Sequence, residues 1–156
     1  MAKKILVALD ESENAMKALD YVVRSFTPDH EVTLFNVALD TAAICNMNSP
    51  ELTPYFTAQQ ITFCSLEDKK KELVRKAMDQ ARARLIRAGF QDNKITTRIE
   101  TRKKGVARDI LAEAQSGYDT IVMGRRGLSG ITEFFIGSVS QKVLNNARGI
   151  SVVLAV

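Results

Sequence analysis

The stretch Lys4-Ile5-Leu6-Val7-Ala8-Leu9-Asp10 is a continuous apolar run that ends on an acid. A strand with one exposed face alternates apolar and polar residues, whereas a strand covered on both faces is apolar throughout. The run therefore predicts a buried strand at Ile5–Leu9, with Asp10 where the chain leaves the sheet.

Short apolar runs of this kind recur along the chain and alternate with helical patterns. We predict five strands, at Ile5–Leu9, Val32–Val37, Ile95–Glu100, Thr120–Met123 and Ser151–Val156. Apolar residues spaced three and four apart predict four helices, at Ala15–Phe26, Leu66–Ala88 and Ala107–Ala114 and after Gly137. In the second helix the predicted apolar stripe runs through Leu73, Ala77, Ala81 and Leu85, with Val74, Met78 and Ala88 beside it. Ser65 is the predicted N-cap. Strands that alternate with helices indicate an α/β fold with a parallel sheet and right-handed crossovers.

One stretch does not fit this alternation. Residues 40–65 carry Pro50 and Pro54, polar clusters and no clean period, so we interpret them as an irregular, partly helical excursion. With no linker and no internal repeat, residues 1–156 are expected to form a single domain.

Composition limits the function classes. The chain has 156 residues, 22 basic and 18 acidic, for a formal charge of +4, and only 6% aromatics. The basic residues of the second helix alternate with acids at salt-pair spacing, which favours a solvated helix face over nucleic-acid binding. No signal peptide or membrane span is expected, and this favours a cytoplasmic protein.

The two cysteines and the single histidine do not predict a metal site or a catalytic site. Cys45 and Cys64 match no metal spacing and are too few for a disulfide framework. A reduced setting fits them best, although a single disulfide between them stays open. His30 lies in a Pro-Asp-His-Glu turn and is interpreted as a surface residue.

A glycine-rich connection joins the fourth predicted strand to the last predicted helix. Strand four ends in Met123-Gly124-Arg125-Arg126-Gly127, and Gly137-Ser138-Val139-Ser140 opens the last helix. A helix N-terminus presents unpaired N–H groups and a positive dipole end, glycine admits close approach, and arginine and hydroxyl groups bind phosphate. Taken singly, the glycines are also ordinary turn residues, Ser138 an ordinary N-cap, and Asp10 a capping acid. Taken together, they predict a phosphate site beyond the carboxyl ends of the strands.

The spacing Gly124-x2-Gly127-x9-Gly137-Ser138 resembles the G-x2-G-x9-G-S/T motif of the ATP-binding class of universal stress proteins. The resemblance extends over nearly the whole chain, from the Lys-Ile-Leu-Val-x-x-Asp opening to the apolar terminal strand. It implies a five-stranded parallel sheet in the order 3-2-1-4-5, which brings Asp10 and Gly124 side by side.

The resemblance also implies roles for individual residues. Asp10 would lie near the ribose or a Mg²⁺ ion, Ala8 and Leu9 near the base, and Val37 would meet adenine through its backbone. Met123 would pack on the nucleotide. Ribose and phosphates would be held by Gly124, Arg126, Gly127, Gly137, Ser138, Val139 and Ser140. The chain departs from the family in having Arg126 where histidine is common and Ile150-Ser151 where a proline is common.

Other nucleotide motifs are absent. The chain has no G-x4-G-K-S/T loop, and the residues after the first predicted strand do not form a G-x-G-x-x-G turn. The leading hypothesis is an ATP-binding regulatory protein in which ATP with Mg²⁺ orders residues 128–136. The alternatives are a slow ATPase or autophosphorylating phosphotransferase that uses Asp10, and a dimerising interaction protein with a non-essential pocket. Efficient catalysis is not expected, because Asp10 is the one acid suited to it.

The last strand favours self-association. Residues 150–156 are apolar, and in the implied strand order they form a sheet edge. Exposed apolar edges pair readily with another chain. We therefore expect a homodimer that forms through this strand.

Overall fold

The sheet is parallel and contains five strands in the order β3-β2-β1-β4-β5. The strands are β1 (Lys4–Ala8), β2 (Glu31–Ala38), β3 (Ile95–Thr101), β4 (Thr120–Gly124) and β5 (Ser151–Ala155). This computed structural model describes residues 2–10, 12–125 and 136–156, and for Glu13 the backbone only. The fold class and the strand order expected from the sequence are both confirmed.

In the described part of the chain, five helices connect the strands and cover both faces of the sheet. They are α1 (Glu13–Ser25), α2 (Ala42–Cys45), α3 (Pro54–Arg87), α4 (Val106–Ala114) and α5 (Ser138–Asn146), and a 3₁₀ turn at Asp92–Lys94 precedes β3. Helices α1 and α3 pack on one face around Leu19, Met78 and Leu85. Helices α4 and α5 pack on the other around Phe35 and Ile121. No helix in the described part of the chain has both the length and the apolarity to cross a membrane.

Helix α3 begins at Pro54, so the start predicted at Leu66 is wrong. Thr53 caps this helix, its hydroxyl oxygen accepting the Phe56 N–H at 3.2 Å, and Pro54 occupies the first turn, where proline is tolerated. The first turns of α3 lack an apolar stripe because its buried residues all lie farther along, at Val74, Met78, Ala81 and Leu85. A helix segment that buries nothing leaves no periodic signal in the sequence.

The buried stripe of α3 matches the predicted one at Ala81 and Leu85, but nearer the N-terminus it runs through Val74 and Met78. Leu73 is 54% exposed, whereas its neighbour Val74 is buried. Ser65, predicted as the N-cap, lies inside the helix. The stretch predicted as an irregular excursion contains α2 and the first turns of α3, and a disulfide between Cys45 and Cys64 joins the two helices with 5.8 Å between the Cα atoms.

Gly124 ends β4 directly against the start of α1. A Cβ atom built at Gly124 would lie 2.6 Å from the backbone oxygen of Asn14 and 2.9 Å from its carbonyl carbon. These are backbone atoms of a helix, which cannot rotate away as a flexible side chain can. Glycine is therefore required here by close approach, and the contact fixes the end of β4 next to the first turn of α1.

This contact makes a prediction about stability. Gly124→Ala should destabilise the fold by about 1–3 kcal/mol through overpacking, which for a chain of this size lowers Tm by roughly 2–10 °C. The control is Gly117→Ala, which meets no atom within 4 Å but has a φ of +89°, so it measures backbone strain alone. Thermal unfolding followed by circular dichroism gives both values, and a Gly124→Ala protein as stable as wild type would contradict the packing described.

Candidate functional site

A cleft of about 570 Å³ opens at the carboxyl ends of the central strands. The chain runs from β1 to its neighbour β2 on one side and later to β4 on the other, so the connections diverge at this point. Open parallel sheets bind ligands at such a switch point. Helix α3 forms one rim of the cleft, and the N-terminus of α5 borders it.

Most residues predicted from the sequence lie together in this cleft. Its lining includes Ala8, Leu9, Asp10, Val37, Met123, Gly124, Ser138, Val139 and Ser140. Gly137 does not line the cleft. Its N–H donates to the Arg125 carbonyl at 2.8 Å, and its own carbonyl accepts the Gln141 N–H. Arg126 and Gly127 lie outside the described residues, as does nearly all of the 128–136 segment expected to order on ATP.

The ladder between β1 and β2 ends inside the cleft. Leu9 N–H donates to the Phe35 carbonyl at 2.8 Å, but the Leu9 carbonyl accepts the side-chain amide of Asn36 at 2.7 Å rather than the next strand N–H. Because strand groups alternate in direction, the N–H of Val37 points toward β1, but it forms no hydrogen bond with the Leu9 carbonyl. This N–H is therefore a hydrogen-bond donor that the β1–β2 ladder leaves open beside the cleft.

Helix α5 directs its first turn at the same cleft. Its first intrahelical bond runs from Gln141 N–H to the Gly137 carbonyl, and no side chain in the described part of the chain caps the start. Among the described residues, the N–H groups of residues 138–140 have no hydrogen-bond partner, as at any uncapped helix start. The side chain of Ser140 is bonded within the protein: its hydroxyl donates to the Gly124 carbonyl at 2.8 Å and so ties α5 to β4.

Asp10 and Ser12 lie together where β1 turns into α1. One carboxylate oxygen of Asp10 accepts the Ser12 N–H at 2.7 Å. Ser12 is 7% exposed, lines the cleft, and its hydroxyl oxygen is buried without a hydrogen-bond partner among the described residues. A serine at a helix N-cap usually accepts a backbone N–H of the first turn, but Ser12 makes no such bond. Buried hydroxyls of this kind are uncommon and point to a missing partner.

The remaining walls divide into an apolar part and a basic rim. Phe35, Ile99, Val106, Ile110 and Met123 line the apolar part, and Lys71 and Arg75 of α3 reach the rim. Lys71 also donates to the Thr41 hydroxyl at 3.1 Å, and Arg75 forms an ion pair with Glu72. In the sequence these cations were interpreted as a solvated helix face. Both are exposed, and only the path of α3 across the end of β2 brings them to the cleft.

Sequence reasoning does not single out several polar residues that line the site, among them Ser12, Asn36 and Lys71. Asn36 offered a signal, since it is a polar residue near the end of an apolar strand. Lys71 offered none, because its position depends on tertiary packing. Among the described residues, no group of three or more His, Cys, Asp or Glu side chains is placed to hold a metal ion.

Comparison with known sequences identifies relatives over nearly the full chain. The sequence model of the universal stress protein family matches residues 1–154. The universal stress protein YxiE of Bacillus subtilis (strain 168) is 32% identical over 144 residues, which are 92% of this chain and 92% of that protein.

Solved structures of the same fold cover the chain as completely. The structure of the hypothetical protein MJ0577 aligns with a TM-score of 0.70 and 27% identity, covering 99% of this chain and 96% of the other. A universal stress protein solved in complex with cAMP aligns with a TM-score of 0.60 and 19% identity, covering 99% and 98%. At that identity the second likeness concerns the fold.

Proposed function

The chain belongs to the universal stress protein family, and we propose that it binds ATP in the cleft as a nucleotide-responsive regulatory module of the stress response. The observation that carries the proposal is the meeting of two unlike sets of groups in one cleft. One is an apolar wall beside an open strand N–H, and the other is an uncapped helix N-terminus. An adenine nucleotide has the matching parts, a flat heterocyclic base and a polyanion.

The base end of the site is formed by β1 and β2. The Val37 N–H can donate to a ring nitrogen of adenine, and Ala8, Leu9 and Met123 supply apolar contacts around the ring. A single well-placed backbone donor in an apolar pocket fixes the orientation of a ligand, since burying an unpaired ring nitrogen costs free energy. This arrangement supports recognition of the base through the backbone of β2.

The phosphate end is formed by α5. The N–H groups of Ser138 and Val139 and the Ser138 hydroxyl can donate to phosphate oxygens, and the helix dipole favours negative charge there. We further propose that Gly124, Arg126, Gly127 and Gly137 complete this end, as the family motif implies. Ser140 and Gly137 would act mainly by holding α5 against β4, because the Ser140 hydroxyl and the Gly137 N–H are already bonded within the protein.

Asp10 and Ser12 fit a Mg²⁺ ion that travels with the phosphates. Mg²⁺ binds hard oxygen ligands and in nucleotide sites usually takes one or two from the protein, the rest from phosphates and water. Asp10 has a carboxylate oxygen beyond the one bonded to Ser12 N–H, and the Ser12 hydroxyl lacks a partner among the described residues. When bound, the ion would neutralise phosphate charge. Asp10 and Ser12 are the residues that would hold it.

The self-association expected from the sequence also remains a proposal, and the edge strand supports it. Ser151 N–H donates to the Asp119 carbonyl and the Ala155 carbonyl accepts the Arg125 N–H, so alternate residues of β5 bond to β4. The backbone groups of Val152 and Leu154 therefore point away from the sheet. Such an edge can pair with the same strand of a second copy, which we propose as the dimer interface.

The phosphate end can be tested at the first residue of α5. Ser138→Pro removes one N–H and the hydroxyl, while Gly137, with φ −60° and ψ 155°, already has the conformation that precedes proline. Calorimetric titration should show ATP affinity about tenfold lower, the size expected for losing a hydrogen bond to a charged group.

Two controls separate the phosphate contact from a change in fold. Ser138→Ala keeps the N–H and should lose less ATP affinity than Ser138→Pro, and adenosine, which has no phosphate, should bind all three proteins equally. An equal loss of ATP and adenosine affinity in Ser138→Pro would assign the effect to a distorted cleft. Unchanged ATP affinity in that variant would place the phosphates elsewhere.

The edge strand can be tested at Val152. Val152→Pro removes an N–H that does not bond to β4 and should convert a dimer to a monomer in analytical ultracentrifugation. Val152→Ala, the matched control, shortens the side chain but keeps the N–H, and it should remain dimeric. A Val152→Pro protein that keeps the dimer would place the interface on another surface.

A further inference from the structure

The segment that follows β2 forms part of the cleft wall before it reaches α2. Ala38 and Leu39 line the cleft, and Thr41 leads directly into the helix. Helix α2 spans only Ala42–Cys45 and has no buried residue. A single helical turn cannot be stable by its own hydrogen bonds, so this segment depends on its attachments to the rest of the protein.

Those attachments all lead to α3. The Cys45–Cys64 disulfide is the covalent one. The side-chain amide of Gln60 donates to the carbonyls of Ile44 and Met47, the latter at 2.9 Å, and Lys71 donates to Thr41. Apart from Lys71–Thr41, each tie involves the first turns of α3, which bury nothing against the sheet.

The disulfide also borders a hollow that adjoins the cleft. Cys45 and Cys64 line this hollow, which shares four lining residues with the cleft: Ala38, Leu39, Lys71 and Thr101. Both cysteines are partly exposed, so a thiol reductant can reach the bond from solvent. The cleft and the hollow beside the disulfide thus share part of their walls.

We propose that the Cys45–Cys64 disulfide is a redox switch that sets how tightly the cleft holds its nucleotide; this rests on the proposed function. A thiolate of a dithiol reductant attacks one sulfur of the disulfide, forms a mixed disulfide with that cysteine and releases the other cysteine as a thiolate. The second thiol of the reductant then attacks the reductant's own sulfur in the mixed disulfide and releases the first cysteine. The protein gains two thiols, and the reductant supplies the two electrons and two protons and leaves as its own disulfide. In a reducing compartment, disulfides are commonly of this switching kind.

The direction of the effect follows from chain entropy. The bond closes a loop with a sequence separation of 19, and a cross-link of that length removes many conformations from the open chain. After reduction, the described side-chain ties from α3 to residues 41–47 are the hydrogen bonds of Gln60 and Lys71. A smaller fraction of the molecules then has residues 39–53 ordered against the cleft. The apparent nucleotide affinity falls in proportion to that fraction.

The experiment compares oxidised and reduced protein with a matched variant. Nucleotide affinity is measured by titration with ATP, with and without dithiothreitol, for wild type and for the Cys45→Ser/Cys64→Ser double variant. We expect affinity of oxidised wild type to fall about threefold or more on reduction, and the variant to bind like reduced wild type in both conditions. Hydrogen exchange by mass spectrometry should quicken on reduction in residues 39–65 and stay unchanged in β1 and β4.

The possible results are distinguishable. Equal ATP affinity in both redox states, with unchanged exchange in residues 39–65, would overturn the switch and leave nucleotide binding intact. Two thiols that react with an alkylating reagent in denatured, unreduced protein prepared under air would overturn it as well. Faster exchange in residues 39–65 on reduction, with no ATP bound in either state, would support the mobile wall and refute the proposed function instead.

Discussion

The hydrogen bond from the Asn36 side chain to the Leu9 carbonyl is the interaction on which the candidate site depends. It replaces the next bond of the parallel ladder between β1 and β2, so the two strands stop pairing at Leu9. The chain can then turn from Asp10 into α1 while β2 continues to Ala38. A cleft with an open strand N–H results, and the carbonyl that would have closed the ladder is not left buried and unpaired.

Two further local contacts hold the other walls of the cleft in place. Gly124 lets β4 end against the first turn of α1, and the Ser140 hydroxyl ties the first turn of α5 to Gly124. Two helix N-termini thereby converge on one small volume between strand ends. The dipoles of both helices favour an anion there. The cleft therefore favours negative charge through its backbone, without help from an ionised side chain.

Much of this was predictable from the sequence, and the reasons are local. The run Ile5–Leu9 is apolar throughout because β1 is the central strand with helices on both faces, and glycine and serine residues mark the start of α5. The start of α3 and the exposed position of Leu73 were not predictable, because the first turns of α3 bury nothing and leave no period. The disulfide, the Asn36 bond and the position of Lys71 depend on how separate elements meet, and spacing in one dimension does not carry that information.

The most direct test is to identify what the protein carries when it is purified. Freshly purified wild-type protein is denatured with acid, and the released small molecules are separated by chromatography against ATP, ADP, AMP and cAMP standards. Our account predicts an adenine nucleotide, with ATP the main species, in an amount approaching one per chain. A protein that releases no nucleotide and that also fails to bind added ATP with Mg²⁺ would contradict it.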